Sequence, residues 1–233
     1  MRFLIVNGDD FGASRGINRG ILEAHHRGIL TSTSLLVDTP WSEDAACLSR
    51  AAPDIGIGLH VDFAHEGGRG REARGRSPGP GEIADAETCR AELHRQFRRF
   101  QELIGCPPTH LDSHRNVHRH PGLLPHFADL ARQYGLPLRE YSPARYFSKF
   151  YGQWGGATRL EQISVDGLLR MLETEIQEGF TELSCHPGYV DPDLQSGYSH
   201  ERETELRTLC DPAVRKILAE RQIQLMSFRA MRC

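Results

Sequence analysis

Four short segments of this chain carry side chains able to do acid–base or metal chemistry, and all four are built from aspartate and histidine. Asp9 and Asp10 stand side by side in Val6-Asn7-Gly8-Asp9-Asp10-Phe11-Gly12. His60 and Asp62 end the apolar run that starts at Ile55. Asp112, His114 and His118 fall within His110-Leu111-Asp112-Ser113-His114-Arg115-Asn116-Val117-His118, and His186 sits in Ser184-Cys185-His186-Pro187-Gly188-Tyr189. Adjacent carboxylates repel, so at least one needs a cation or a proton beside it. A divalent ion resolves that repulsion, one Asp serving as ligand and the other remaining as an acid–base group. One Asp and two His suit a catalytic ion that keeps positions open for water and substrate. A spare Asp and a spare His are then available as base and acid.

Each segment alone also has a plainer reading. Asp-Asp before a glycine can be an Asx-type turn, His60 a hydrogen-bonded core histidine, and His114 and His118 surface groups of a polar loop. The four-residue spacing of His114 and His118 lets both share an ion if the segment is helical. If the chain turns outward there, only one reaches the site. Pro187 stops a strand just after His186, which leaves that ring at a strand mouth. Recurrence of these groups at the C-terminal ends of four strands is what favours a common site.

The elements that must position them alternate. Apolar or β-branched runs at Phe3–Val6, Thr31–Val37, Ile55–Phe63, His110–His114, Leu136–Tyr141, Thr181–Cys185 and Ile223–Phe228 read as strands. Between them lie helical stretches. One is opened by Ser14 and stopped by Gly28, one spans Trp41–Arg50, and one is capped by Asp85 and stopped by Gly105 and Pro107. Others are Leu123–Tyr134, a helix capped by Asp166 and ended by Gly179, and two short helices around Asp211-Pro212. This alternation predicts a parallel sheet with crossover helices in one α/β domain over residues 1–233, as an irregular (β/α) TIM-like barrel. A Rossmann sheet is disfavoured, since Gly8–Gly12 is not a G-x-G-x-x-G turn. In a parallel barrel all strand C-termini open on one face, where active sites lie.

Composition removes several function classes. With 233 residues, 39% hydrophobic and 25% charged, the chain can bury its own core, and its net charge of −3 supplies no field for a nucleic-acid backbone. The segment at 66–82 is rich in glycine and arginine and reads as a mobile loop of the kind that often serves as a lid; it lacks the aromatic platform that RNA binding would want. No apolar run is long enough for a membrane span. Asp9 and Asp10 come too early for a signal peptide, and the six cysteines are scattered, so the expected location is cytoplasmic.

Taken in order, Val6–Gly12, Gly58-Leu59-His60, His110–His118 and Leu183–Tyr189 resemble the motifs of the YdjC-like carbohydrate deacetylases, which include chitooligosaccharide deacetylases. The likeness runs from residue 3 to about 190, and in site logic it is distantly similar to the NodB-type polysaccharide deacetylases. It implies an irregular (β/α) barrel that removes N-acetyl groups from amino sugars with one divalent metal ion. By position, it implies that Asp10, His60 and His118 bind the ion, that Asp9 is the general base, and that a protonated His186 is the acid for the leaving amine. It implies that Arg139 keeps Asp9 ionised and oriented. Two departures stand out. Arg115 and Asn116 replace a denser histidine run, and Gly8 stands where alanine is commoner, which is expected to widen the space beside the carboxylates.

The reaction expected on this basis is hydrolysis of an N-acetyl amide of a sugar or short oligosaccharide by water activated on the ion. His114 is left as either a ligand or a substrate contact, and Tyr189, just after the His186 turn, as a substrate contact. The donor set does not separate zinc from magnesium. A metal-dependent phosphoesterase and a non-catalytic sugar- or metal-binding protein are the rivals. The expected partner is an N-acetylated sugar, with no nucleic acid and no membrane, and a homo-oligomer is compatible with the resemblance.

Overall fold

Strand β1 (Arg2–Phe11) is buried almost continuously from Leu4 onward, as a central strand of a parallel sheet covered on both faces should be. The computed structural model describes residues 1–63, 86–191 and 196–231. The expected loop at 66–82 and the Asp85 cap lie outside these residues. In chain order the elements are β1, α1 (Arg15–His26), β2 (Ser32–Leu35), α2 (Ser42–Ser49), β3 (Gly56–Val61), α3 (Ala86–Ile104) and β4 (Leu111–Ser113). A 3-10 segment at His114–Arg119 follows, then α4 (Leu124–Tyr134), β5 (Ala144–Phe147), a small hairpin of β6 (Gln153–Trp154) and β7 (Ala157–Thr158), and α5 (Val165–Thr174). The chain continues with β8 (Gly179–Cys185), α6 (His200–Leu209), α7 (Pro212–Glu220) and β9 (Ile223–Leu225).

Among the described residues the main sheet runs β4-β3-β2-β1-β8-β5, and every pairing in it is parallel. β8 takes one edge of β1, while β9 pairs with Arg2–Leu4 and β2 with Asn7–Phe11. The expected irregular TIM-like (β/α) barrel is thus found, among the described residues, as a parallel half-barrel sheet that does not fully close. Leu136–Tyr141 is not a strand, since it makes one bridge, Leu111 to Leu138, before the chain crosses to β5 on the opposite edge. Among the described residues no backbone strand pairing closes that seam. The side chain of Arg139, which lies in it, fastens Asp9 on β1, Asp112 on β4 and Glu182 on β8 across the gap.

Side chains alternate along a strand, and the alternation sorts this molecule into an oily outside and a polar inside. Leu4 and Val6 join the large apolar cluster with α1, α3, α4 and α5, whereas Ile5 packs inside with Ala144 and Phe228. Further along the inner face come Asn7 and Asp9, flanked in register by Ser184 of β8 and Ser32 of β2. The same inner face holds Ser34, His60, Asp112 and Glu182, so the interior turns from apolar to ionic toward the strand C-termini.

Helix starts follow their caps, with one correction. Ser14 Oγ accepts the Ile17 N–H at 3.2 Å, and Asp211 caps α7 with Pro212 at its first position. For α5 the cap is Ser164, which accepts the Gly167 N–H at 3.1 Å. Asp166 sits inside the first turn, where its charge meets the positive helix end. Gly20 is required by close approach: a Cβ there would lie 2.5 Å from Gly188 Cα, so the chain after His186 can lie directly on α1. Among the described residues no helix is long and apolar enough to cross a membrane.

Candidate active site

Neighbouring residues of a strand face opposite ways, yet Asp9 and Asp10 both reach the mouth of the half-barrel. The reason is local. The β1–β2 register shifts between Gly8 and Phe11, and Asp10 is left-handed at φ 70, a conformation costing about 1–3 kcal/mol that clusters at functional sites. Gly8 plays a different part from the expected one. A Cβ there would meet Leu30 Cδ1 at 2.7 Å, so the missing side chain makes room for packing against β2 and α1, away from the carboxylates.

Asp9 is clamped. Arg139 Nη1 and Nη2 donate to its two oxygens at 2.8 Å each, and Asn7 Nδ2 donates to Oδ1 at 2.8 Å. Burial alone would raise its pKa, but the Arg139 charge and hydrogen bonds bring it below the ordinary carboxylate value. Asp112 is held likewise. Its Oδ2 accepts from Ser34 Oγ at 2.6 Å and lies 2.9 Å from Arg139 Nη2, while Oδ1 takes His60 Nδ1 at 2.7 Å. Glu182, with Arg139 Nε at 2.8 Å, has its pKa pushed up by burial to about 7.

The Asp112 bond orients His60: Nδ1–H donates to the carboxylate, and Nε2 is turned to Asp10 Oδ1 at 3.5 Å. His114 Nδ1 approaches the same oxygen at 3.2 Å, and one ligand atom each from Asp10, His60 and His114 lie within 4.8 Å of one another. This is a fitting pocket for a divalent ion, since a histidine ligand usually gives its other N–H to a carboxylate. Charge balance agrees. Asp9, Asp10 and Asp112 all have lowered pKa values, against the two guanidiniums of Arg139 and Arg202. Burial works against a proton on His60, but Asp112, Asp10 and Asp9 together raise its pKa to about 10. A second possible grouping, Asp9, His60 and Asp112, already spends its oxygens on Arg139, Asn7, Ser34 and His60.

The segment after β4 sends His114 and His118 to different surroundings. Arg115 and Asn116 are both left-handed, at φ 55 and 54, which kinks the chain and prevents one helix from presenting both imidazoles to one ion. His114 thus comes to Asp10. His118 is fully buried instead, its Nδ1 and backbone N–H on Ser113 Oγ at 2.7 and 3.0 Å, and its Nε2 lies 3.6 Å from Glu140 Oε2 without a hydrogen bond. Burial lowers its pKa to about 4.

His186 leaves β8 on the other side of the mouth, near enough to Asp9 and Asp10 for their charges to favour its proton. Burial prevails and lowers it to about 4. Its Nδ1 is buried without a hydrogen-bond partner. Tyr189 stands further out, 38% exposed, with its hydroxyl on Glu23 Oε2 of α1.

Two groups of the site come from α6 and were not anticipated. Arg202 Nη2 donates to Asp10 Oδ2 at 2.5 Å, and Glu205 accepts the His186 backbone N–H. The sequence reading places two short helices around Asp211-Pro212 without singling out either residue; the docking of α6 against the sheet ends is what turns Arg202 and Glu205 inward.

The YdjC-like protein family model matches residues 3–220. The chain belongs to this family. This YdjC-like protein is 38% identical over 250 residues to a carbohydrate deacetylase of Geobacillus stearothermophilus, covering 98% of the chain and 97% of that relative. It is 35% identical over 258 residues to a chitooligosaccharide deacetylase of Serratia marcescens, covering 98% of each. Its fold matches a solved protein of Enterococcus faecalis V583 with a TM-score of 0.83 and 29% identity, over 100% and 99% of the two chains. A family 4 carbohydrate esterase from Streptomyces lividans shares the fold at a TM-score of 0.58 and 14% identity, over 96% and 91%.

Proposed function

We propose that this YdjC-like protein is a metal-dependent carbohydrate deacetylase acting on the N-acetyl group of an amino sugar or short N-acetylated oligosaccharide. The observation that carries this reading is the meeting, at one mouth, of Asp10, His60 and His114 with the clamped Asp9 and the ring of His186. Its support from outside the chain is similarity, over nearly the full length, to proteins named carbohydrate and chitooligosaccharide deacetylases.

Asp10 and His60 would hold a zinc or magnesium ion together with His114; His118, with its unpartnered Nε2, is the other candidate for the third position. When bound, such an ion supplies Lewis acidity toward an acetyl carbonyl and brings the pKa of a water toward about 7. Asp9 is the proposed proton acceptor. Of the roughly four lone-pair sites on its carboxylate, Arg139 and Asn7 occupy three, which leaves one directed to solvent or substrate. His186 is the proposed proton donor to the departing nitrogen, which cannot leave as an amide anion. With a pKa of about 4 it is neutral at pH 7, so the proton it delivers would be the one Asp9 accepts from the water, passed to the imidazole before the C–N bond breaks. Base and acid would each contribute about 10²–10⁴ in rate.

The test is acetate release from N-acetylglucosamine and its oligomers by protein loaded with zinc or magnesium, by chelated protein, and by chelated protein resupplied with each ion. The reading requires acetate from at least one of these sugars, lost on chelation and restored by an ion. Sugar binding without acetate release would mark a non-catalytic binder. Phosphate release from sugar phosphates without acetate would mark a phosphoesterase; either result removes the reading.

A further inference from the structure

Glu205 is a fully buried carboxyl that the mechanism above does not use. Such a group is costly to keep unless it is well partnered, and burial pushes its pKa up to about 8. Its two oxygens lead to the same place. Oε2 accepts the backbone N–H of His186, and Oε1 accepts the hydroxyl of Tyr198. Tyr198 is in turn held by the Gly152 N–H at 2.8 Å and stacks on Tyr151 with ring centres 4.7 Å apart and planes 7° from parallel. Both tyrosines set their rings against the His186 imidazole, at 5.6 and 5.5 Å. The imidazole has no hydrogen bond at Nδ1 to set its direction, so its aim depends on the peptide it hangs from and the rings beside it. Glu205 governs the first directly and the second through Tyr198.

Resting on the deacetylase reading, we infer that Glu205 and Tyr198 are positioning residues for His186, fixing the line along which its imidazole meets the leaving nitrogen. Neither touches the reacting atoms. An error of about 1 Å in the placement of a catalytic group costs about 100-fold in rate, so the loss belongs in kcat. Substrate affinity and ion content, which depend on other residues, stay unchanged. A group acting only through His186 also loses its effect once His186 is gone.

The experiment uses the full-length, metal-loaded protein as wild type, E205A, E205Q, Y198F, H186A and E205A/H186A. Readouts are kcat and KM for acetate release, ion content, and the imidazole resonance of His186, assigned by its absence in H186A. E205A is expected to lose about 100-fold in kcat with KM within about threefold and ion content unchanged, to shift the imidazole resonance, and to cost nothing further in H186A. E205Q keeps an acceptor for the His186 N–H and a partner for Tyr198, and is expected to stay within about threefold of wild type. Should E205A not fold, Y198F carries the test through the resonance shift and a kcat loss at constant KM. An unmoved resonance in both E205A and Y198F, or an E205A loss that repeats in full on top of H186A, overturns the inference. Failure of the wild type to release acetate would instead strike the deacetylase reading, while the resonance still reports whether Glu205 orients His186.

Discussion

Replacing Arg139 by methionine is the sharpest test of how this site is held together. Arg139 is 2% exposed, and its guanidinium meets three carboxylates at once: Asp9 through both terminal nitrogens at 2.8 Å, Glu182 through Nε at 2.8 Å and Asp112 at 2.9 Å. Methionine keeps the length and loses the charge. Removing one partner of a buried ion pair costs about 3–5 kcal/mol because the other is left uncompensated. Here three are left, partly relieved by Asn7, Ser34 and His60. For a domain of this size each kcal/mol corresponds to about 2–4 °C, so the expected fall in Tm is about 6–20 °C. Thermal unfolding at pH 7 with chelator would be compared for wild type, R139M, R139K and the double variant D9N/R139M. Lysine, a point charge unable to span three carboxylates, should fall between wild type and R139M. The double variant removes one orphaned carboxylate and should recover about 0.5–3 kcal/mol of the loss. If R139M unfolded within 2 °C of wild type, the carboxylates would not depend on the guanidinium, and the case for Asp9 as an ionised, oriented base would go with it.

Other outcomes follow from the same geometry. D112N removes the carboxylate that orients His60 and should weaken ion binding about 10–100-fold by calorimetric titration; an unchanged Kd would mean His60 is not a ligand. H114A should weaken ion binding more than H118A, and the reverse order would restore the ligand set that the sequence resemblance implies. D9N should retain its ion while losing about 10²–10⁴ in turnover, so a D9N protein with wild-type kcat would end the proposal that Asp9 is the base. Glu205 carries the pH dependence. Its folded pKa of about 8 lies above the ordinary 4.5, so the native state holds the proton more tightly than the unfolded chain. Its contribution to stability therefore falls as pH rises from about 4.5 to 8. Glutamine does not titrate, so the Tm of E205Q relative to wild type should increase between pH 5 and pH 8; a flat difference contradicts the burial of that carboxyl.

The strands carrying Asp9, His60, Asp112 and His186 were legible because parallel strands buried on both faces read as apolar runs, and their polar ends stand out against them. The cap at Ser14 was legible because it is local. Ser164 was missed in favour of Asp166, since both can cap and only the backbone entering the helix chooses between them. The bridge at Leu138 and strand β5 at Ala144–Phe147 were misread because each depends on a distant partner, β4 or β8, rather than on its own pattern.

By itself the sequence determined the family, the parallel α/β arrangement and the set of aspartates and histidines gathered at strand ends, because these follow from composition, spacing and period. Only the tertiary structure decided that the barrel stays open at the seam Arg139 spans, and that two left-handed residues send His114 rather than His118 to Asp10. It also turned Arg202 and Glu205 of a charged helix into the wall of the site. Those outcomes hang on backbone handedness and on contacts between residues as much as 192 positions apart, and neither leaves a periodic trace in the chain.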